Sequence, residues 1–98
     1  MLTPDEIEAR IRALKPRLME EYAVSKIGYF GSFARGNYHE DSDVDVLVDF
    51  ERSVGWKFFD LKELLESVLN KKVDLVTERS LRKSWRETIL QQVKYIWK

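Results

Sequence analysis

The chain has no cysteine among its 98 residues. Disulfides and thiolate zinc sites are therefore excluded, and a reducing, cytoplasmic setting is expected. It has one histidine, His39, which leaves no partner for a His-based metal cluster. It has no net charge, because 17 basic side chains balance 17 acidic ones. A uniformly basic coat is excluded on that count, and direct nucleic-acid binding is not expected. No apolar run approaches the roughly 18 residues of a membrane helix. Met1 to Arg10 mixes charges without an apolar block, so no signal peptide is expected there.

What is present is the balance of a globular chain, 44% hydrophobic and 35% charged. The length predicts a single domain over residues 1–98. So short a domain buries a smaller share of its surface than a larger one, and its stability margin is thin. Twelve aromatic residues help to fill its core.

The first segment reads as a helix with a capped start. Thr3 is the cap, Pro4 takes the first helical position, and Glu6 stands at the capping-box distance. Ile7, Ile11, Leu14 and Leu18 share one face, and Pro16 kinks or restarts the helix before it ends near Glu21 or Tyr22. Val24 to Phe30 is β-branched and aromatic, a strand running into Gly31. Ser32 to Arg35 is one helical turn closed by Gly36, and 37–42 is a polar loop. Val44 to Phe50 is a second strand, Trp56 to Asn70 a long helix, and Val73 to Thr77 a third strand. Ser80 to Trp97 is expected to be a final helix, with Leu81, Trp85, Ile89 and Val93 on a core-facing stripe. The short link between the first two strands predicts an antiparallel pair. The fold class expected is α+β, or mixed α/β: helices packed on a small sheet.

Three features carry chemistry. Gly31-Ser32 closes a strand and opens a helical turn, an arrangement that presents backbone N–H groups to an anion such as phosphate. Asp43 and Asp45 sit two apart at the entry to a strand, so both carboxylates share a face, opposite Val44 and Val46. They repel unless a cation lies between them, and hard oxygen ligands suit magnesium. Asp74 stands between Val73 and Leu75, a costly place for a carboxylate without a partner unless the strand is an edge that faces it to water. If the third strand lies beside the second, Asp74 joins the pair. Carboxylates beside a phosphate-binding turn are the equipment of phosphoryl or nucleotidyl transfer.

Gly31-Ser32, a ten-residue gap and Asp43-Val44-Asp45 resemble the signature of the polymerase-β-like nucleotidyltransferase superfamily. The runs Phe30 to Gly36 and Ser42 to Val48 resemble its minimal nucleotidyltransferase branch, and the likeness extends over nearly the whole chain. The resemblance implies a mixed sheet of about three to four strands flanked by helices. It implies that Gly31 and Ser32 hold the β- and γ-phosphates of ATP, with Arg35 and Gly36 in the same nucleotide-binding run. It implies that Asp43, Asp45 and Asp74 are catalytic and hold two Mg²⁺ ions.

Members of this branch act as antitoxins paired with HEPN-domain ribonuclease toxins, to which they transfer AMP on a tyrosine. The resemblance thus implies a protein adenylyltransferase and a hetero-oligomer with the toxin, since the chain shows no acceptor-binding second domain. Two other readings fit the same residues: an antitoxin that neutralises by binding alone, and an oligomeric transferase for an aminoglycoside-type small molecule. His39 and Tyr38 read as loop residues, and Tyr95 and Trp97 as a candidate partner surface.

Overall fold

The computed structural model describes residues 1–98. Its elements are helices α1 (Pro4–Ala13) and α2 (Lys15–Tyr22), strand β1 (Val24–Phe30), helix α3 (Ser32–Arg35) and strand β2 (Val44–Phe50). Helix α4 (Lys57–Leu69), strand β3 (Val73–Thr77), helix α5 (Lys83–Gln92) and strand β4 (Lys94–Trp97) follow. A short 3-10 turn at Glu78–Ser80 precedes α5.

The capping box predicted at Thr3 is formed in both directions. The Glu6 N–H donates to Thr3 Oγ1, and the Thr3 N–H donates to the Glu6 carboxylate, each at 3.2 Å. The Pro16 break resolves into two helices. Leu14 is their hinge, at φ −90° and ψ 0°, and Pro16 lies in the first turn of α2. A proline there has no N–H to offer and would crowd the carbonyl four residues back, so the ladder is interrupted before it.

The four strands form one mixed sheet in the order β3-β2-β1-β4. β1 pairs antiparallel with β2, as expected from the sequence, and also with β4. β2 and β3 run parallel, with α4 as their crossover. Helices α1, α2 and α4 cover one face. Ile7, Ile11, Leu18, Leu61 and Leu65 meet Ile27, Tyr29, Val44, Val46 and Val48 there in a single core. Each such side chain, fully removed from water, stabilises the fold by roughly 1.5–3 kcal/mol.

The second face differs. β2 turns Asp45, Leu47 and Asp49 to the side away from Val44, Val46 and Val48. Lys26 reaches Asp49 at 3.4 Å and Glu78 at 3.1 Å. Ion pairing with Glu78 first, against a desolvation cost, raises the Lys26 pKa above its ordinary value.

The expected final helix over Ser80–Trp97 is corrected here. Only Lys83–Gln92 is α-helical, and Lys94–Trp97 is a strand. The tail sets the β-branched and aromatic run Tyr95-Ile96-Trp97 between two lysines, and β1 offers it an otherwise unpaired edge. The predicted core stripe fails with it: α5 has no buried residue, and Trp85 is 60% exposed. In β4, Ile96 enters the core and Trp97 packs against it. Tyr95 lies between two ammonium groups, Lys98 at 4.6 Å and Lys26 at 5.6 Å from its ring centre.

Candidate active site

β1 delivers the chain to Gly31, at φ 71° and ψ −148°, a conformation that L side chains rarely adopt. The space is closed as well. A Cβ at Gly31 would collide with the Asp45 carboxylate and stand 3.0 Å from its Cγ. The backbone angle requires glycine, and any side chain there would displace the Asp45 carboxylate as well. Gly31 O accepts from the N–H groups of Ala34 at 3.1 Å and Arg35 at 3.0 Å, so α3 begins at once. The N–H groups opening such a turn have no carbonyl partner within the helix. Gly36, at φ 88°, ends the turn by donating its N–H to Ser32 O at 2.9 Å.

The sheet register brings the carboxylates to this point. Asp45 pairs with Phe30 across the antiparallel ladder and with Asp74 across the parallel one. Asp43 precedes β2, whose first residue is anchored by a bond from the Val44 N–H to Lys72 O at 2.9 Å. Asp43 and Asp74 are exposed, and Asp45 is partly buried. The expected burial penalty therefore falls on a different residue. Asp74 lies on the edge strand and faces water, whereas Asp45 is the carboxylate that loses solvent. Desolvation first, then the Asp74 and Asp43 carboxylates, push the Asp45 pKa up to about 6, and Arg35 pulls it back.

Arg35 is exposed and donates from Nη1 to Gln92 Oε1 at 3.3 Å. Gln92 was absent from the residues singled out in the sequence, because a helix drawn through to Trp97 does not end beside Arg35. The 37–42 loop is also organised. The Tyr38 ring stacks on Phe33, with centroids 4.6 Å apart and planes 14° apart. His39 accepts from the Asp41 N–H at its Nδ1, and the His39 N–H donates to Ser42 Oγ. Those bonds make His39 a brace for the loop. The Lys71 ammonium holds the same loop through Glu40 O.

The donor set is hard oxygen in excess of positive charge, with Asp45 disfavoured as an anion by its surroundings. A divalent cation relieves both costs. No three such side chains close into a preformed cage. The donors are the hard oxygens that magnesium takes, typically one or two carboxylates with water and substrate phosphates completing its shell. None of the cavities in the molecule is lined by Gly31, Ser32, Asp43, Asp45 or Asp74. The site is an open shelf at one end of the sheet.

Residues 11–96 match the family model of the nucleotidyltransferase domain. The chain is 47% identical over 97 residues to the protein adenylyltransferase MntA of Thermococcus cleftensis, with 98% of each protein covered. Among solved structures it resembles a toxin–antitoxin complex with AMP-PNP, at TM-score 0.75 and 28% identity over 92% of this chain and 72% of that one. It also resembles an MntA–HpeT toxin–antitoxin complex carrying a pair of Asp-to-Glu substitutions, at TM-score 0.72 and 25% identity over 92% and 71% of the two chains.

Proposed function

The chain belongs to the nucleotidyltransferase domain family, and on that premise we propose that it is a protein adenylyltransferase, the antitoxin of a HEPN/MNT pair. It transfers AMP from ATP to a tyrosine of a HEPN-domain ribonuclease toxin and so silences it. One observation carries this reading: Asp45 packs against the bare Gly31 backbone and lies in register beside Asp74. The adenylyltransferase name of the Thermococcus relative and the toxin–antitoxin complexes among the similar structures support it.

In this mechanism Gly31 and Ser32 receive the β- and γ-phosphates. Gly31 has no side chain to hold a phosphate off the backbone, and Ser32 adds a hydroxyl donor beside the opening N–H groups of α3. Arg35 adds positive charge next to them, and Gly36 lets the chain leave the turn. Asp43, Asp45 and Asp74 would hold two Mg²⁺ ions. When bound, magnesium supplies charge neutralisation at the triphosphate and polarises its phosphoryl oxygens. Asp74, on the solvent side of the edge strand, takes the proton of the tyrosine hydroxyl. The tyrosine oxygen bonds to the α-phosphorus, the bond from that phosphorus to the bridging oxygen breaks, and pyrophosphate leaves with the electron pair.

The open shelf suits an acceptor that brings its own surface. The residues of this shelf then supply the nucleotide half of the site, and the toxin supplies the rest in a hetero-oligomer. The test is incubation with labelled ATP, Mg²⁺ and the cognate HEPN protein. Label is expected on a toxin tyrosine with the wild type and none with the Asp43→Ala Asp45→Ala variant. Toxin left unlabelled by the wild type, or labelled equally by the variant, overturns the reading. Neutralisation in cells that survives this double substitution would show an antitoxin acting by binding alone.

A further inference from the structure

Arg35 lies on the short α3 turn, and its exposed side chain has no carboxylate partner to hold it. Its single side-chain hydrogen bond runs to the Gln92 amide oxygen, 57 residues further on. The fold fixes where that oxygen stands. Gly28 is a bare seat in β1: a Cβ there would lie 2.7 Å from Val93 Cγ1 and 2.7 Å from Lys94 O. Val93 and the start of β4 therefore cross β1 at a distance only glycine allows. The neighbours of Gly28, Ile27 and Tyr29, face the helix-covered core, so Val93 lies over the second face, where Asp45 also points. The ladder then pairs Tyr29 with Lys94 and Gly28 with Tyr95. Gln92, the last residue of α5, is left beside the turn that follows β1.

We propose that Gln92 is a positioning residue for nucleotide binding: its amide oxygen holds the Arg35 guanidinium towards the polyphosphate shelf formed by Gly31, Ser32 and Asp45. A free arginine samples many rotamers, and fixing it removes that entropy cost before the anion arrives. Gln92 accepts one N–H and leaves the remaining guanidinium donors for phosphate oxygens. A carboxylate at position 92 would instead neutralise the charge the phosphate needs. The amide is thus suited to hold the guanidinium without quenching it. The proposal rests on the nucleotide-binding role given to Arg35 above.

The test measures affinity for a non-hydrolysable ATP analogue and for AMP by calorimetry, and steady-state transfer from ATP to the toxin. Four proteins are compared: wild type, Gln92→Met, Arg35→Met and the double variant. Methionine keeps the length of glutamine and removes its acceptor. Gln92→Met is expected to weaken the ATP analogue about threefold to tenfold, the effect of one hydrogen bond. It should raise KM for ATP by a similar factor, leave kcat within about twofold, and leave AMP affinity unchanged, since the contact serves the outer phosphates. The double variant should bind no more weakly than Arg35→Met alone, because Gln92 acts only through Arg35. Additive losses, or a Gln92→Met protein that binds the analogue like wild type while Arg35→Met does not, overturn the positioning role and leave the transferase reading standing. A wild type that binds no ATP analogue and transfers nothing overturns both.

Discussion

The two faces of the sheet are built on opposite terms. On one, helices α1, α2 and α4 press aliphatic side chains onto Ile27, Val44, Val46 and Val48, all of them shut off from water. On the other, the same strand β2 carries Asp45 and Asp49 on either side of the buried Leu47, and α5 buries none of its residues. Alternation along one strand separates a stabilising surface from a reactive one by a single residue step. The first face supplies the rigidity with which the second holds a half-desolvated carboxylate between two others. Stability and chemistry are therefore expected to respond in opposite senses to substitutions on the two sides.

The sharpest break in this contrast comes from the second face. Replacing Asp43 and Asp45 by alanine is expected to lower AMP transfer at least about a thousandfold, the scale of losing several kcal/mol of charge stabilisation. Its circular dichroism should remain that of a folded protein. Labelled-ATP assays and melting curves on the same preparation check both halves.

On the first face, Leu65→Ala should do the reverse. Leu65 is fully buried in α4, and its truncation is expected to cost about 2–5 kcal/mol in urea denaturation. Activity per folded molecule should stay within about twofold. Gly31→Ala joins the two faces, because the new methyl meets both an unfavourable φ and the Asp45 carboxylate. A stability loss of about 1–3 kcal/mol is expected together with loss of transfer.

The pH response separates the faces again. The folded pKa of Asp45, about 6, lies above the ordinary range of an aspartate, because burial and the Asp74 and Asp43 carboxylates disfavour its charge. The folded state thus holds the proton more tightly than the unfolded one. Its contribution is fully present below the unfolded pKa and is lost as pH rises through the folded pKa. From pH 4 to 7 the wild type should therefore lose about 1–3 kcal/mol relative to Asp45→Asn, which has nothing to titrate there. Urea melts of the two proteins across that range, without divalent cations, measure the difference. The smallest effect is expected at Trp85, an aromatic residue with most of its surface in water. Trp85→Ala should change stability by no more than about 0.5 kcal/mol, against the several expected at Leu65.

Much of this was legible in the residues themselves. The Thr3–Glu6 capping box, the antiparallel β1–β2 pair and the helix between β2 and β3 follow from local patterns, and the structure has them all. Gly31, Ser32, Asp43 and Asp45 read in the sequence as a turn suited to phosphate beside paired carboxylates, and the fold sets Gly31 against Asp45. What local pattern could not supply was long-range pairing. Asp74 leaves two readings open in the sequence, a costly buried acid or an edge-strand carboxylate in water, and the position of β3 at the sheet edge decides for the second. The β4 tail reads as helix because Trp85, Ile89 and Val93 happen to keep helical spacing, while the unpaired edge of β1 decides the matter. Gln92 became visible only once that tail turned into the sheet.

We propose that Asp45 is held at a cost to stability that a bound cation and nucleotide relieve. Melting wild type and Asp45→Asn at pH 7.5 tests it most directly, without and then with Mg²⁺ and a non-hydrolysable ATP analogue. The account predicts that the variant melts higher without ligand. It further predicts that magnesium and the analogue raise only the wild type, closing or reversing the gap. A wild type that already melts at or above the variant without ligand would contradict it.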